Sequence, residues 1–271
     1  MTSAPDRLAL RADLLDFQAD PGWAAPDPAT GLVPGVRWRP DHWLLVEDGR
    51  IAGIEPAAAF TPDVAVWSVE DRRGQLLMPG FIDTHVHSPQ LDVIASYGTE
   101  LLDWLETYTF PAEMRHADPA VAVAGAELFL DALLAHGTTS AVVFPTGHVS
   151  STEALLAGAH RRGMRLITGK VLMDRHAPEG LRDDVPGAER DSRALIGRWH
   201  GRGRLAYAMT VRFAPTSTPA QLAMAGRLMA EVPDLYMQTH VAENQAEVAW
   251  VAELFPEARR DRKSTRLNSS H

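Results

Sequence analysis

Residues 78–90 read MPGFIDTHVHSPQ, an apolar run that closes on two histidines, His85 and His87, two positions apart. On an extended strand, residues i and i+2 share a face. Both imidazoles therefore point the same way, with Asp83 one layer deeper. Two neutral imidazoles converging at one depth make a poor apolar core and a good divalent-metal site. The competing reading is a pair of histidines satisfied by ordinary hydrogen bonds.

Downstream of this stretch the pattern becomes regular. The strand LLMPGFIDTHVH (from Leu76) leads through a long connection to a helix, DPAVAVAGAELFLDALLAHG, with Asp118 as N-cap, Pro119 in the first turn and Gly137 past the end. Strands TTSAVVFP, RLITGKVLM, LAYAMTVRFAP and LYMQTHVAE then alternate with helices SSTEALLAGAHRRG, ERDSRALIGRWHGRG, TPAQLAMAGRLMAEV and NQAEVAWVAELF. Each strand is apolar enough to be buried on both faces, so five β-α units predict a parallel sheet. It is either an open doubly wound sheet or part of an eight-fold barrel. No glycine fingerprint follows the first strand, which weakens the dinucleotide-binding option. In both architectures chemistry sits at the C-terminal ends of the strands, where His85, His87 and His240 fall.

Upstream, residues 7–56 read as short strands and turns. HWLLVEDGRIAGIEP predicts a hairpin turning at Asp48-Gly49, and DPGWAAPDPATGLVPGVRWRPD before it predicts an irregular loop. The final DRKSTRLNSSH has no periodicity and one apolar residue, and reads as a disordered or foreign tail over 261–271.

The composition, 45% hydrophobic and 23% charged over 271 residues, is globular. A formal charge of −9 argues against a nucleic-acid or anionic-membrane partner. No run reaches the ~18 apolar residues of a membrane span, and the N-terminus has no signal-peptide pattern. With no cysteine, disulfides and thiolate chemistry are excluded, and any metal must be held by His, Asp or Glu, which suits zinc or iron. The expected setting is the cytoplasm.

Further candidates surround the histidines. Glu243 follows His240 by three residues where the chain leaves the strand, ahead of Asn244 and Glu247 at capping-box spacing. It reads either as a proton shuttle beside a metal ligand or as a solvated helix-start carboxylate. Arg212, at the end of a buried strand, needs an anionic or carbonyl partner, either a salt bridge or a substrate, and Phe213 follows it. Gln90 is a pocket amide or an ordinary loop amide. Trp104 lines a pocket or packs the long connection. His116, His136, His148, His160, His176 and His200 have no partners at ligand spacing and read as structural or solvent-facing.

The series PGFIDTHVH, SPQ, LLDWLETYTFPAE, HGTTSAVVF, GKVLMDRHAP, VRFAPTSTP and THVAEN resembles the guanine deaminase type of the amidohydrolase superfamily over roughly residues 76–258. His-x-His alone marks only the superfamily; the full series marks the type. The resemblance implies a partial (β/α)8 barrel over 76–260, with residues 1–75 as the N-terminal half of a small β-sandwich. It implies one zinc per chain on His85, His87, His240 and a strand-eight aspartate, with a catalytic histidine on strand six. The last two are absent from this sequence. Two-metal relatives use a carboxylated lysine on strand four, whereas Lys170, the one lysine before the tail, lies in the third strand.

The implied reaction is hydrolysis of guanine to xanthine and ammonia. Glu243 would carry protons, Gln90 and Arg212 would hydrogen-bond the base, Phe213 would pack on its face, and His87 and His240 would border it. A homodimer is implied for the full-length enzyme. The alternatives are a cytosine, adenosine or triazine aminohydrolase, or a metal-binding fragment without catalysis. An open five-unit barrel leaves strand edges and helix faces uncovered, so this chain alone is expected to fold poorly and be inactive.

Overall fold

The structure, a computed structural model, describes residues 6–98 and 100–256. The predicted tail over 261–271 lies outside them. The chain divides into two compact units, Met1–Gly80 and Phe81–His271.

The first unit is a four-stranded sheet of β1 (Arg7–Phe17), β2 (Val36–Glu47), β3 (Arg50–Pro56) and β4 (Ser68–Leu77), in the order β3-β2-β1-β4. β1 and β4 run parallel and the other pairs antiparallel. The β2–β3 hairpin turns as expected at Asp48 and Gly49, both with positive φ (49° and 71°). Residues 36–41, expected in a loop, belong to β2. Pro40 falls where the β1–β2 register shifts between Ala12 and Leu14, so the missing N–H interrupts no ladder bond there. Asp41 beyond it adopts φ 50° and accepts two bonds from Arg11.

The second unit is the β-α series. β5 (Phe81–His87), β6 (Thr138–Phe144), β7 (Arg165–Thr168), β9 (Leu205–Phe213) and β10 (Tyr236–His240) form a curled parallel half-barrel in the order β10-β9-β7-β6-β5. Helices α3 (Pro119–Ala135), α4 (Val149–Arg162), α5 (Val185–Trp199), α6 (Pro219–Glu231) and α7 (Gln245–Leu254) alternate with them. The expected first strand is in fact two elements. β4 ends at Leu77, β5 starts at Phe81, and Pro79 lies in the break. The expected third strand is also divided, into β7 and the short β8 (Val171–Leu172), which pairs with β9. The cause is a close crossing at Gly169, where a Cβ would sit 1.9 Å from the Ala208 carbonyl oxygen.

The caps follow the sequence. Asp118, Thr218 and Asn244 accept from amides two or three residues on. Gly163 closes α4 in the left-handed region at φ 66°. Helix α5 starts four residues before the expected Glu189, because Asp184 caps it at Gly187 N (2.6 Å) and Pro186 fits its first turn.

Burial on both faces holds at the sheet centre, where all nine residues of β9 are buried. It fails at the ends of the described sheet. Ile82 on β5 and Met237 on β10 are 70% and 50% exposed, since each of those strands pairs on one side only. The core of the unit gathers Leu130, Leu155, Leu166, Tyr207, Met209 and Leu228, all at 0–1% exposure. The long connection after β5 is a chain of helical turns, including α1 (Leu101–Trp104), a π turn over Leu105–Thr109 and α2 (Phe110–Met114).

Candidate active site

β5 and β10 end on the same side of the sheet and bring their histidines together. The ligand-capable nitrogens of His85, His87 and His240 all lie within 4.8 Å of one another. Beneath them sits the buried ring of Phe144, the last residue of β6. His87 stacks on it at 4.8 Å, and His240 and His85 tilt against it at 4.4 and 5.2 Å. Asp83 stays out of the cluster and accepts from the His85 amide at 3.0 Å.

Hydrogen bonding fixes which nitrogens face inward. His240 Nδ1 lies 2.7 Å from the Arg212 carbonyl. A carbonyl only accepts, so that nitrogen carries the proton and Nε2 keeps its lone pair. His240 Nε2 then meets His87 Nε2 at 2.9 Å, while His87 Nδ1 is buried without a partner. Burial, reinforced by the Arg212 charge, pushes His87 down to about 2; burial also takes His240 down to about 4. Both rings are neutral near pH 7. Two neutral imidazoles, a third ring with its nitrogens within 4.8 Å of theirs, and one orphaned ring nitrogen fit a divalent metal ion. The set can hold one ion, and no second group of this kind occurs among the described residues.

A cavity of about 410 Å³ opens on the cluster and is lined by all three histidines together with Gln90, Trp104, Arg212, Phe213 and Glu243. Glu243 reaches it because the chain turns sharply after β10. Ala242 adopts φ 58°, and Glu247 accepts from both the Ala242 and Glu243 amides at 3.1 and 2.7 Å. Burial, with Glu247 adding repulsion, raises the Glu243 carboxyl above the ordinary carboxylate range. Gln90 projects from the turn Ser88–Val93. Trp104 is a wall of the cavity, and its indole N–H donates to Ser96 O at 3.2 Å.

Arg212 lines the same cavity and is also ion-paired, to Glu113 on α2. Arg212 is 2% exposed and Glu113 0%. The guanidinium lies over the Phe110 ring at 5.6 Å. Glu113 and Phe144 carry little signal in the sequence: Glu113 reads as an ordinary helix carboxylate at the end of FPAE, and Phe144 as one more apolar residue at the end of SAVVF.

Lys170 is buried against Asp183 at 2.5 Å and is not part of the cluster. The remaining histidines bond locally. His136 faces Ala132 O, His148 bridges Thr146 and Gly180, His176 bonds Pro215 O and His200 bonds Pro233 O. His116 is buried beside Gly125, and His160 packs on Trp199.

Residues 76–267 match the family model described as the amidohydrolase family. The guanine deaminase of Escherichia coli (strain K12) is 44% identical over 229 residues, covering 83% of this chain and 52% of the relative. Among solved structures, guanine deaminase from Bradyrhizobium japonicum superposes with TM-score 0.85 at 36% identity, over 93% of this chain and 54% of the other. Guanine deaminase from C. acetobutylicum, solved with guanine bound in its active site, gives TM-score 0.81 at 25% identity, over 93% and 57%. The chain spans about half the length of the curated relatives it matches. With its histidine triad at the strand ends of a parallel half-barrel, the chain belongs to the amidohydrolase family.

Proposed function

We propose that the protein serves the hydrolytic deamination of guanine, in which water replaces the 2-amino group to give xanthine and ammonia. The observation that carries this is the convergence of His85, His87, His240, Glu243, Gln90, Arg212 and Phe213 on one cavity of about 410 Å³. The similarity to guanine deaminases supports it. As parts of the same proposal, the metal is zinc, one per chain, the working unit is a homodimer, and the compartment is the cytoplasm.

When bound to the three histidines, the ion supplies Lewis acidity that makes a water nucleophilic near neutral pH. Glu243, with its raised proton affinity, would take a proton from the attacking water, deliver it to a ring nitrogen and assist departure of the amine. Arg212 donates to the carbonyl at the six position. Gln90 can donate and accept along the base edge, and Phe213 packs on the ring face.

Arginine cannot accept a hydrogen bond, so Arg212 opposes the six-position amino group of adenine. A buried donor left unpaired costs roughly 1–3 kcal/mol, and sites of this kind discriminate by up to about 10⁴-fold. Ammonia release from guanine, adenine and cytosine by the zinc-loaded full-length enzyme tests the reading. Strong preference for guanine is expected, and Arg212→Met should erase it by damaging guanine turnover. Adenine or cytosine turned over as fast as guanine would replace this reading with another ring aminohydrolase.

A further inference from the structure

Arg212 carries a full positive charge into a cavity meant, on the reading above, for an uncharged base. A bare guanidinium there would be a carboxylate and phosphate site, because its planar fork binds planar anions well. What sits against it is Glu113, a carboxylate with 0% exposure on α2, contributed by a helical connection 99 residues away in sequence. One Glu113 oxygen accepts from Arg212 Nη1, and the other is buried with no partner. No other acidic side chain pairs with Arg212 among the described residues. An arrangement serving stability alone would satisfy both oxygens, and an apolar pair of the same volume is often as stable as a buried ion pair.

We propose that Glu113 is a positioning and charge-balancing residue: it holds the Arg212 fork toward the cavity while cancelling its charge, so that the site selects a neutral carbonyl over an anion. The choice of a purine as ligand rests on the function proposed above. The charge argument does not. With the pair intact, the cavity offers directed N–H donors with little net field, which suits a six-position carbonyl. With Glu113 neutralised, the same donors become an anion trap.

The test is Glu113→Gln in the metal-loaded chain, since glutamine keeps the shape and an acceptor for Arg212 but removes the charge. Two readouts separate the issues. In the first, sodium formate is titrated at constant ionic strength and the melting temperature followed. Wild type should respond only as far as formate reaches the ion, E113Q should be stabilised by several degrees more, and the E113Q/R212M double variant should fall back to the wild-type response. In the second, affinities are compared for hypoxanthine, which has a neutral six-position carbonyl, and purine-6-carboxylate. E113Q should shift their ratio at least about tenfold toward the carboxylate, whereas a purely structural role would leave the ratio where it was.

A flat formate response in E113Q, or a wild type as responsive as the variant, overturns the proposal. If wild type binds neither purine, the substrate reading fails, and the formate arm still decides the role of Glu113. Should E113Q fail to fold, Glu113→Asp retains the charge on a shorter stem. That variant should then fold and respond to formate no more than wild type, and a larger response in E113D would overturn the proposal equally.

Discussion

Gly169→Ala isolates the contact that shapes the centre of the sheet. At the β7–β8 break the added Cβ would lie 1.9 Å from the Ala208 carbonyl oxygen and 2.9 Å from the Tyr207 ring. Clearing 3.0 Å, below which Cβ contacts essentially never occur, requires the two backbones to separate by at least ~1.1 Å. Neither can yield cheaply. β7 is registered to β9 through Thr168↔Tyr207, and β8 through Val171↔Thr210, so the crossing is pinned on both sides. Overpacking that side chains can relieve costs about 1–3 kcal/mol, so a clash with a backbone oxygen belongs at or above the top of that range. The control is the same substitution at Gly226, on α6, where nothing lies within 4 Å. There alanine should stabilise by roughly 0.4–1 kcal/mol through the unfolded chain. Urea unfolding of both variants checks this. If Gly169→Ala falls within about 1 kcal/mol of Gly226→Ala, the crossing is not a packing constraint and the argument for the divided strand is wrong.

Other outcomes follow from the site and the core. In the full-length enzyme, Glu243→Gln should retain metal and guanine binding but lose about 10²–10⁴-fold in turnover, and turnover within threefold of wild type would remove Glu243 from the mechanism. Metal analysis of the full-length enzyme should find about one tightly bound zinc per chain, lost on His87→Ala; two ions would contradict a single three-histidine cluster. Burial pushes the Tyr207 phenol up to about 12, above its value in the unfolded chain. Stability from this group is therefore complete below about pH 10 and lost as pH rises from there, by about 1.4 kcal/mol per unit. Urea melts at pH 9 and 10.5 should show that loss in wild type and a smaller one in Tyr207→Phe, with equal losses counting against the assignment.

The β-α alternation was legible because period, caps and punctuation agree over Phe81–Leu254: Asp118, Thr218 and Asn244 cap the helices they precede. The histidine cluster was legible for a geometric reason, since strand alternation and the shared side of parallel strand ends together place His85, His87 and His240. What failed was punctuation read at face value. Pro40 reads as a breaker yet lies in β2, because a register shift beside it absorbs the missing donor. Pro79 was read through, although β4 and β5 separate around it. Gly169 gave no warning of the break it causes, since its reason is the carbonyl of a strand some forty residues on. Glu113 was invisible for a similar reason: its partner lies 99 residues away, and no local pattern marks a carboxylate that will be buried. Strand burial was overestimated at Phe81 and Tyr236, where composition reports apolarity but not position within the sheet.

The turn after β10 has a mechanical consequence. Glu247 grips the amides of residues 242 and 243, and Asn244 caps the helix back onto Glu247. Glu243 is thereby mounted on α7 like a pawl on a lever, with Ala242 at φ 58° as its one bent joint. The other arm of that lever carries Trp250, whose ring meets Phe213 at 6.2 Å and His176 at 5.1 Å. On the proposed function, α7 thus links the proton carrier at its start to an aromatic ring that flanks Phe213, against which the base would rest. Acid–base chemistry and ring packing would then be coupled through one helix, so a substitution at Trp250 is expected to disturb proton transfer from about two helical turns away.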